Sequence, residues 1–339
     1  MANSYINKIF YNDFIFYPGF ETFCYQNCQR ILLEAQGIVH SELYINAALS
    51  LVYNKATNDI FTRDGIRTLL PSYQGKVKRF FYKSTEKKTK EVFFNNIEFM
   101  KKNDRAIIVG IDSYYLKYVT NYRKNHARHT LILCGFDLDK KEVYVIDWYP
   151  DWYYKGIVPI EDFLVGRESE NPYDGTMFSG SSIENNWAYI SDIGSAEPKV
   201  LIKELLDIIL KEYYANDSCI GILYGIKALK ALKEYIKGMG IADEFMSLYR
   251  KLNHISKRNM LFCQYLECYE NITNIDELYE CIKISKKIVD DWNIILMLFL
   301  KCSKAFSDKI RGKLLQRYEI LIEDEEERKQ LLIKLYKII

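Results

Sequence analysis

The sequence predicts an α+β protein, in which an antiparallel sheet with an N-terminal helix is followed by an all-helical second domain. Most of the 16 glycines, three of the four tryptophans and five of the six prolines precede residue 195. Short β-branched and aromatic runs lie between them, which is typical of strands and turns. After residue 195 apolar residues recur every three or four positions, as in amphipathic helices. We therefore predict two domains, 1–195 and 196–339.

The elements of the first domain follow from local patterns. An amphipathic helix is predicted over 24–37, ending at Gly37 because glycine tolerates the left-handed conformation. A second helix is predicted in SELYINAALSLVYN, with Ser41 as its N-cap. RAIIVGID, HTLILCGFD and KEVYVIDWY indicate three strands, and the last two are expected to form a hairpin across LDKK. The polar stretch 168–186 is predicted to be a long loop that lies over a site.

Composition and charge disfavour several classes of function. The 47 Lys and Arg residues against 45 Asp and Glu residues leave a formal charge of +2, which favours neither nucleic acid nor an anionic membrane as partner. The longest apolar run, 294–300, is far shorter than the roughly 20 residues that span a bilayer. The first residues lack the pattern of a secretory signal, and eight cysteines without a CxxC pair fit a reduced compartment. We expect a cytoplasmic protein.

Cys24, His129 and Asp147 are the candidate catalytic residues. Cys24 is predicted at the start of a helix, where free N–H groups and aligned peptide dipoles stabilise a thiolate. His129 opens one strand and Asp147 closes the next, so a hairpin would bring them together at one end of the sheet. An imidazole controls the thiol proton, and a carboxylate fixes the imidazole tautomer. The three residues therefore predict catalysis by a cysteine nucleophile.

Several motifs occur in one order along the chain. They are Cys24, Arg30 and Gly37, then Ser41-Glu42, then Asp112 with Tyr115-Leu116, then His126 and His129 before Gly135 and Asp137, and finally Asp147. This order resembles the papain-like clan, and 24–37 is similar to the bacteriocin-processing cysteine peptidases. A closer resemblance, over roughly residues 20–150, is to the N-terminal domain family of the butirosin biosynthesis protein H. One departure is Pro18, which stands where papain-like peptidases usually have an oxyanion-binding Gln.

The resemblance implies a papain-like fold and an acyltransferase that forms an amide in natural-product biosynthesis. An acyl group would pass from the thioester of an acyl or peptidyl carrier protein to Cys24, and then to a small amine or diamine. The 4′-phosphopantetheine arm would arrive on the carrier, and no metal or other cofactor is implied. The same triad also fits a cysteine peptidase or thioesterase. A binding protein on a peptidase fold that has lost its activity is a third alternative.

Neighbouring residues offer alternatives for each role. Cys28 lies one turn after Cys24 on the same helix face, but its N–H is less free, so we interpret it as a wall residue. His126 and His129 are three residues apart without further ligands at suitable spacing, which argues against a metal site. His126 is expected to be solvated or to contact substrate. Asp112 fits a structural hydrogen bond and an amine-binding role equally well.

The remaining polar and aromatic candidates have simpler interpretations. Asp147 could also cap a turn, and Asp137 and Asp139 are expected to be turn residues. The stretch WYPDWYY is interpreted as hydrophobic packing between the domains, with an acyl pocket as the alternative. The basic segment KSTEKKTK, 83–90, is most simply a solvated face, and its alternative role is to dock an acidic carrier protein.

Overall fold

The computed structural model describes residues 3–15, 17, 20, 23–62, 68–149, 152–176, 178–214 and 221–339. Contacts divide the chain into two compact units. Unit 1 comprises Met1–Ile45 and Pro71–Ser195, and unit 2 comprises Asn46–Leu70 and Ala196–Ile339. The α+β class predicted from the sequence is confirmed, since helices and antiparallel strands are both present.

Ten strands are present in the described part of the chain. They are β1 Ser4–Ile6, β2 Val52–Asn54, β3 Asp59–Phe61, β4 Val77–Phe80, β5 Ile107–Asp112, β6 Arg128–Asp137, β7 Glu142–Tyr149, β8 Trp152–Pro159, β9 Trp187–Ile190 and β10 Ile222–Tyr224.

The same residues contain nine α-helices. They are α1 Cys24–Ala35, α2 Pro71–Gln74, α3 Glu86–Asn103, α4 Ile160–Glu168, α5 Pro198–Ile208, α6 Gly225–Gly238, α7 Ala242–Glu270, α8 Asp276–Lys304 and α9 Asp308–Ile338. A π-helical turn, Ile209–Tyr213, directly follows α5.

Unit 1 is built on an antiparallel sheet with strand order β4-β9-β5-β6-β7-β8, and β1 also pairs with β6. The three predicted strands are confirmed as β5, β6 and β7, and β6 and β7 form the predicted hairpin. In the pairing of β5 with β6, Ile111 lies opposite His129 and Asp112 lies opposite Arg128. This register brings the end of β5 and the start of β6 to one edge of the unit.

Apolar side chains of this sheet pack against two helices. Val109 and Leu131 belong to one buried cluster with Val92 and Phe93 of α3 and Phe163 of α4. Burial of this apolar surface, at about 25 cal/mol per Å², is the main force that holds these helices against the sheet. Helix α1 also packs against β5, β6 and β7, so its residues are positioned by the same strands.

The predicted second helix in SELYINAALSLVYN is wrong. Ser41–Tyr44 forms a single 3₁₀ turn, which His40 precedes in the left-handed conformation with φ 57°, and β2 begins only at Val52. Residues 41–53 are buried throughout. A short run that is buried on every side has no polar face, so its sequence does not distinguish a helix from an extended segment.

Unit 2 contains helices α5 to α9 and a small antiparallel sheet of order β10-β2-β3. The prediction that 196–339 is entirely helical is therefore wrong, because Ile222–Tyr224 pairs with Val52–Asn54. The sequence also assigned 46–70 to the first domain, whereas this segment belongs to unit 2. The paired strands are far apart in the sequence. No local sequence pattern therefore predicts that they pair.

Buried Arg258 of α7 holds the 46–70 segment within unit 2. Its guanidinium Nη2 donates to the carbonyl oxygens of Asn46, at 2.7 Å, and Ala48, at 2.5 Å. The side chain thus supplies hydrogen bonds to two backbone acceptors in the buried interior of unit 2. No described helix is both long enough and apolar enough to cross a membrane.

Candidate active site

Cys24 is the first residue of α1 and is partly exposed. The helix forms as predicted and ends before Gly37, whose φ of +82° is the left-handed conformation expected there. The first N–H groups of a helix have no intrahelical acceptor, and the peptide dipoles point their positive ends toward this terminus. The thiol of Cys24 therefore lies where negative charge is favoured.

His129 and Asp147 meet across the β6–β7 hairpin. The imidazole Nε2 lies 2.7 Å from Asp147 Oδ1, and both side chains are buried. Because the carboxylate engages Nε2, the other ring nitrogen, Nδ1, is left to face a second group. That group is Cys24, which forms a hydrogen bond with His129. The structure thus brings the three residues together.

The pKa values of Cys24 and His129 are shifted in opposite directions. Burial by itself raises the pKa of the Cys24 thiol, but the hydrogen bond to His129, the charge of that ring and hydrogen bonds with Thr130 together lower the pKa below 9.0. Burial lowers the pKa of His129, yet the charge and hydrogen bond of Asp147 raise it to about 10. Both shifts favour transfer of the proton from sulfur to imidazole, which is the state of an activated cysteine.

Cys28, the alternative nucleophile, lies in a different environment. It is buried, and its Sγ lies 3.7 Å from the carbonyl oxygen of Thr130. Burial raises the pKa of this thiol well above 9.0, and the nearby charges of Cys24 and Asp147 raise it further. A protonated and inaccessible thiol is a poor nucleophile, so the interpretation of Cys28 as a wall residue agrees with its surroundings.

Tyr118 was not identified from the sequence. Its hydroxyl donates a 2.7 Å hydrogen bond to Asp147 Oδ2, the oxygen that does not face His129. The Tyr118 ring stacks on Tyr154, with centroids 3.7 Å apart and planes at 6°. Burial, followed by the charge of Asp147, raises the pKa of Tyr118 well above 10.0, so its hydroxyl remains a donor. Both carboxylate oxygens of Asp147 are therefore held in place.

Arg30, one of the motif residues, is fully buried in α1. Its Nη1 forms a 2.8 Å ion pair with Glu34 one turn later, and its guanidinium lies over the ring of Trp148 at 5.5 Å. Trp148 of WYPDWYY is 5 % exposed and so is buried within unit 1, whereas packing of this stretch between domains stays a prediction. Pro150 and Asp151 of that stretch lie outside the described residues.

The other candidates occupy local structural positions. Asp137 accepts from the Lys140 N–H at 3.0 Å, which confirms it as a turn residue of the β6–β7 hairpin. In the basic segment 83–90, Lys88 and Lys90 form ion pairs with Glu91 and Glu86 at the start of α3. Such pairs are typical of a solvated helix face, and the docking role stays a prediction. Pro18 lies outside the described residues, so the oxyanion donor near it is not assigned.

No group of three or more His, Cys, Asp or Glu side chains suited to hold a metal ion occurs in the part of the chain that the structure describes.

A cavity of about 200 Å³ is bordered by Tyr118 and Tyr154. A larger cavity, of about 340 Å³, is lined by Ala35 and Gln36 at the far end of α1. That end is about 17 Å from Cys24 at a rise of 1.5 Å per residue, so the larger cavity is separate from the candidate site.

Comparison of the chain with models of known protein families finds no match. Comparison with curated proteins finds no significant match either. The interpretation of the site therefore depends on its geometry.

Proposed function

We propose that this chain is a cysteine-dependent acyltransferase of papain-like fold. It transfers an acyl group from a carrier-protein thioester to the thiol of Cys24, and from Cys24 to a small amine, so that an amide forms. The observation that carries the proposal is the hydrogen-bonded series Cys24–His129–Asp147, in which the thiol pKa is lowered and the imidazole pKa is raised.

Each residue has a defined task in the proposed reaction. The Cys24 thiolate attacks the thioester carbon, the C–S bond to the carrier breaks, and the His129 imidazolium protonates the departing carrier thiol. Asp147 keeps His129 in the tautomer and orientation that this transfer requires. The N–H groups at the start of α1 are suited to stabilise the oxyanion that forms during attack.

The proposal includes the partners expected for such an enzyme. The donor is an acyl or peptidyl carrier protein with a 4′-phosphopantetheine arm, the acceptor is a small amine or diamine, and the location is the cytoplasm. The resemblance to the butirosin protein H family supports this assignment through its order of motifs around Cys24, His129 and Asp147.

The alternative is a cysteine peptidase or thioesterase that uses the same three residues and transfers the acyl group to water. The two functions differ in whether water is kept from the acyl-enzyme. The loop that follows α4 supports transfer, because the carbonyl oxygen of Phe178 accepts from the Arg128 N–H at 2.9 Å, next to His129. Through this hydrogen bond the loop contacts the start of β6, where it would help to keep water from the acyl-enzyme.

The test measures both half-reactions. The protein is incubated with a short acyl thioester of N-acetylcysteamine, the adduct is located by mass spectrometry, and an alkylamine is then added. We expect an acyl group on Cys24 and amide as the main product, and Cys24→Ala should abolish both. Cys28→Ala is the matched control and should still form the adduct. An adduct that survives in Cys24→Ala refutes the assignment, and free acid as the sole product favours the hydrolase.

A further inference from the structure

A second histidine–carboxylate pair lies close to the first. His126 Nδ1 is 2.7 Å from Asp112 Oδ2, and the imidazole stacks on Tyr114 with centroids 4.2 Å apart and planes at 11°. The Asp112 side chain is fully buried, whereas that of His126 is 18 % exposed. Because Nδ1 faces the carboxylate, the proton-accepting position of the ring is Nε2. In His129 the arrangement is reversed, since Asp147 engages Nε2.

Asp112 is held so that it orients this imidazole. Its Oδ1 accepts from the N–H groups of Tyr114 and Ala127, each at 3.1 Å, and its Oδ2 accepts from Ser169 Oγ at 2.6 Å. These three donors fix the position of the Asp112 carboxyl group. A carboxyl group at Nδ1 fixes the tautomer and the orientation of the ring, as in a catalytic triad.

The backbone of His126 is also fixed by the loop that follows α4. The His126 N–H donates to Asp174 Oδ2 at 2.6 Å, and its carbonyl oxygen accepts from Thr176 Oγ1 at 3.2 Å. These contacts immobilise the ring before any ligand binds, which is the preorganisation expected of a group that transfers protons.

The two pairs lie at one edge of unit 1. His126 and His129 are three residues apart, so their α-carbons are separated by at most about 11 Å at 3.8 Å per residue. The carboxylates reach the same edge from different strands, since Asp112 ends β5 and Asp147 lies near the end of β7. Proton transfer to His126 requires that a small molecule bound at Cys24 reaches this ring, directly or through one water.

The proposed reaction must dispose of two protons when the acceptor is an alkylamine. During acylation the proton of His129 leaves on the carrier thiol, so His129 is neutral in the acyl-enzyme. An alkylamine is an ammonium ion at neutral pH and has no lone pair until it loses a proton. When its nitrogen then attacks, the C–N bond forms, the C–S bond to Cys24 breaks and a second proton is lost. One of these two protons restores the His129 imidazolium beside the Cys24 thiolate.

We propose that His126 takes the other proton. Its Nε2 accepts the proton from the incoming ammonium and so creates the nucleophile, after which the partly exposed ring releases the proton to solvent. Asp112 is the positioning residue of this step, and primary amines that are protonated at neutral pH are the acceptor class. This inference rests on the proposed function.

The test compares two nucleophiles on the same acyl-enzyme. Ethylamine is protonated at pH 7, whereas hydroxylamine is not and needs no base to become a nucleophile. His126→Asn keeps an N–H that can donate to Asp112 but removes Nε2. We expect the rate ratio of ethylamine to hydroxylamine to fall about 100-fold in this variant, the usual contribution of a general base. His40→Asn is the matched control, because His40 has φ 57° and asparagine tolerates that conformation.

Two outcomes contradict the proposal in different ways. If His126→Asn slows the reactions of both nucleophiles by the same factor, or slows neither reaction, then His126 does not act as a base. The inference is wrong in both cases. If the unsubstituted protein forms no adduct on Cys24, the proposed function fails and the inference fails with it. An adduct that forms normally, together with an unchanged rate ratio, refutes the role of His126 alone.

Discussion

Cys24 and Cys28 are one helical turn apart and have opposite electrostatic surroundings. The pKa of the Cys24 thiol is lowered from 9.0 through His129, whereas burial raises that of Cys28. We expect iodoacetamide to alkylate Cys24 much faster at pH 7, with a midpoint below pH 9.0, as peptide mass spectrometry across a pH series would measure. His129→Gln should slow the reaction about tenfold or more at pH 7, because it removes the hydrogen bond and the charge that lower the thiol pKa most. Equal alkylation of the two thiols would contradict the proposed activation.

The acylation rate should depend on pH in a direction set by the same pair. The pKa of His129 is raised to about 10, so its proton is present below that pH and is lost as the pH rises through it. The departing carrier thiol needs that proton. We expect the single-turnover acylation rate, followed by rapid quench and mass spectrometry, to be retained through pH 9 and to fall above about 10. A fall already centred near 6.5, the ordinary value for histidine, would show that Asp147 does not support His129.

Tyr118 should matter for the rate of acylation through Asp147. Tyr118→Phe removes the donor to Oδ2 and leaves a buried carboxylate oxygen without that hydrogen bond. Groups that form a hydrogen bond with a functional side chain without touching the substrate typically change activity about 10- to 100-fold. We therefore expect the acylation rate to fall by about tenfold. Tyr154→Phe is the control, since it keeps the stacked ring and removes a hydroxyl that donates to the Ile157 carbonyl oxygen at 2.8 Å, not to Asp147. Equal effects of the two variants would contradict a role for the Tyr118 hydroxyl.

At the residue scale the sequence identified the thiol, the imidazole and the carboxylate but not Tyr118. The first three carry signals that local patterns express, namely a helix start and the two arms of one hairpin. Tyr118 follows β5 and reaches Asp147 from 29 residues away. The sequence shows only that Tyr118 follows Asp112 in the segment SYYLKY. That position does not indicate which group its hydroxyl contacts.

At the scale of elements, strands with clear turn signals were predictable and buried runs were not. β6 and β7 flank the polar turn LDKK, which separates two β-rich runs and so specifies a hairpin. The run after Ser41 is buried on every side and contains no glycine or proline that would mark a turn. It becomes extended because β2 pairs with β3 and with β10.

This extended segment depends on α7, through Arg258. Arg258→Met should leave the carbonyl oxygens of Asn46 and Ala48 buried without their donor. Each lost hydrogen bond of this kind costs about 1–3 kcal/mol, so we expect the free energy of unfolding to fall by about 3 kcal/mol in urea titrations followed by circular dichroism. Lys283→Met is the control, because this side chain is 68 % exposed. A loss as small as that of the control would contradict the proposed clamp.

At the scale of the whole molecule, the two compact units are not continuous segments of the chain. Asn46–Leu70 lies in sequence within the first predicted domain but belongs to unit 2. Leu49, Leu51 and Leu70 of this segment are each 3 % exposed or less. A fragment cut at the predicted boundary keeps this segment and loses α6, α7 and β10, which pack on it.

We therefore expect the fragment 1–195 to expose a continuous apolar surface. It should bind the dye ANS and be cleaved rapidly by protease within 46–70, whereas the full chain should resist cleavage there. The measurement is limited proteolysis followed by mass spectrometry, with the full chain as the control. A fragment that is protected within 46–70 and binds no dye would show that unit 1 by itself buries the segment.

The amino-acid sequence by itself determined the α+β class, the strands β5, β6 and β7, helix α1 and the three residues of the candidate site, because each is expressed in local periodicity, turn residues or a helix start. Only the tertiary structure decided that Tyr118 supports Asp147, that Asp112 orients His126, and that residues 46–70 pack with the C-terminal helices. These depend on contacts between residues far apart in the chain. Such contacts form when packing and hydrogen bonding satisfy distant groups together, and no local pattern encodes which partners meet.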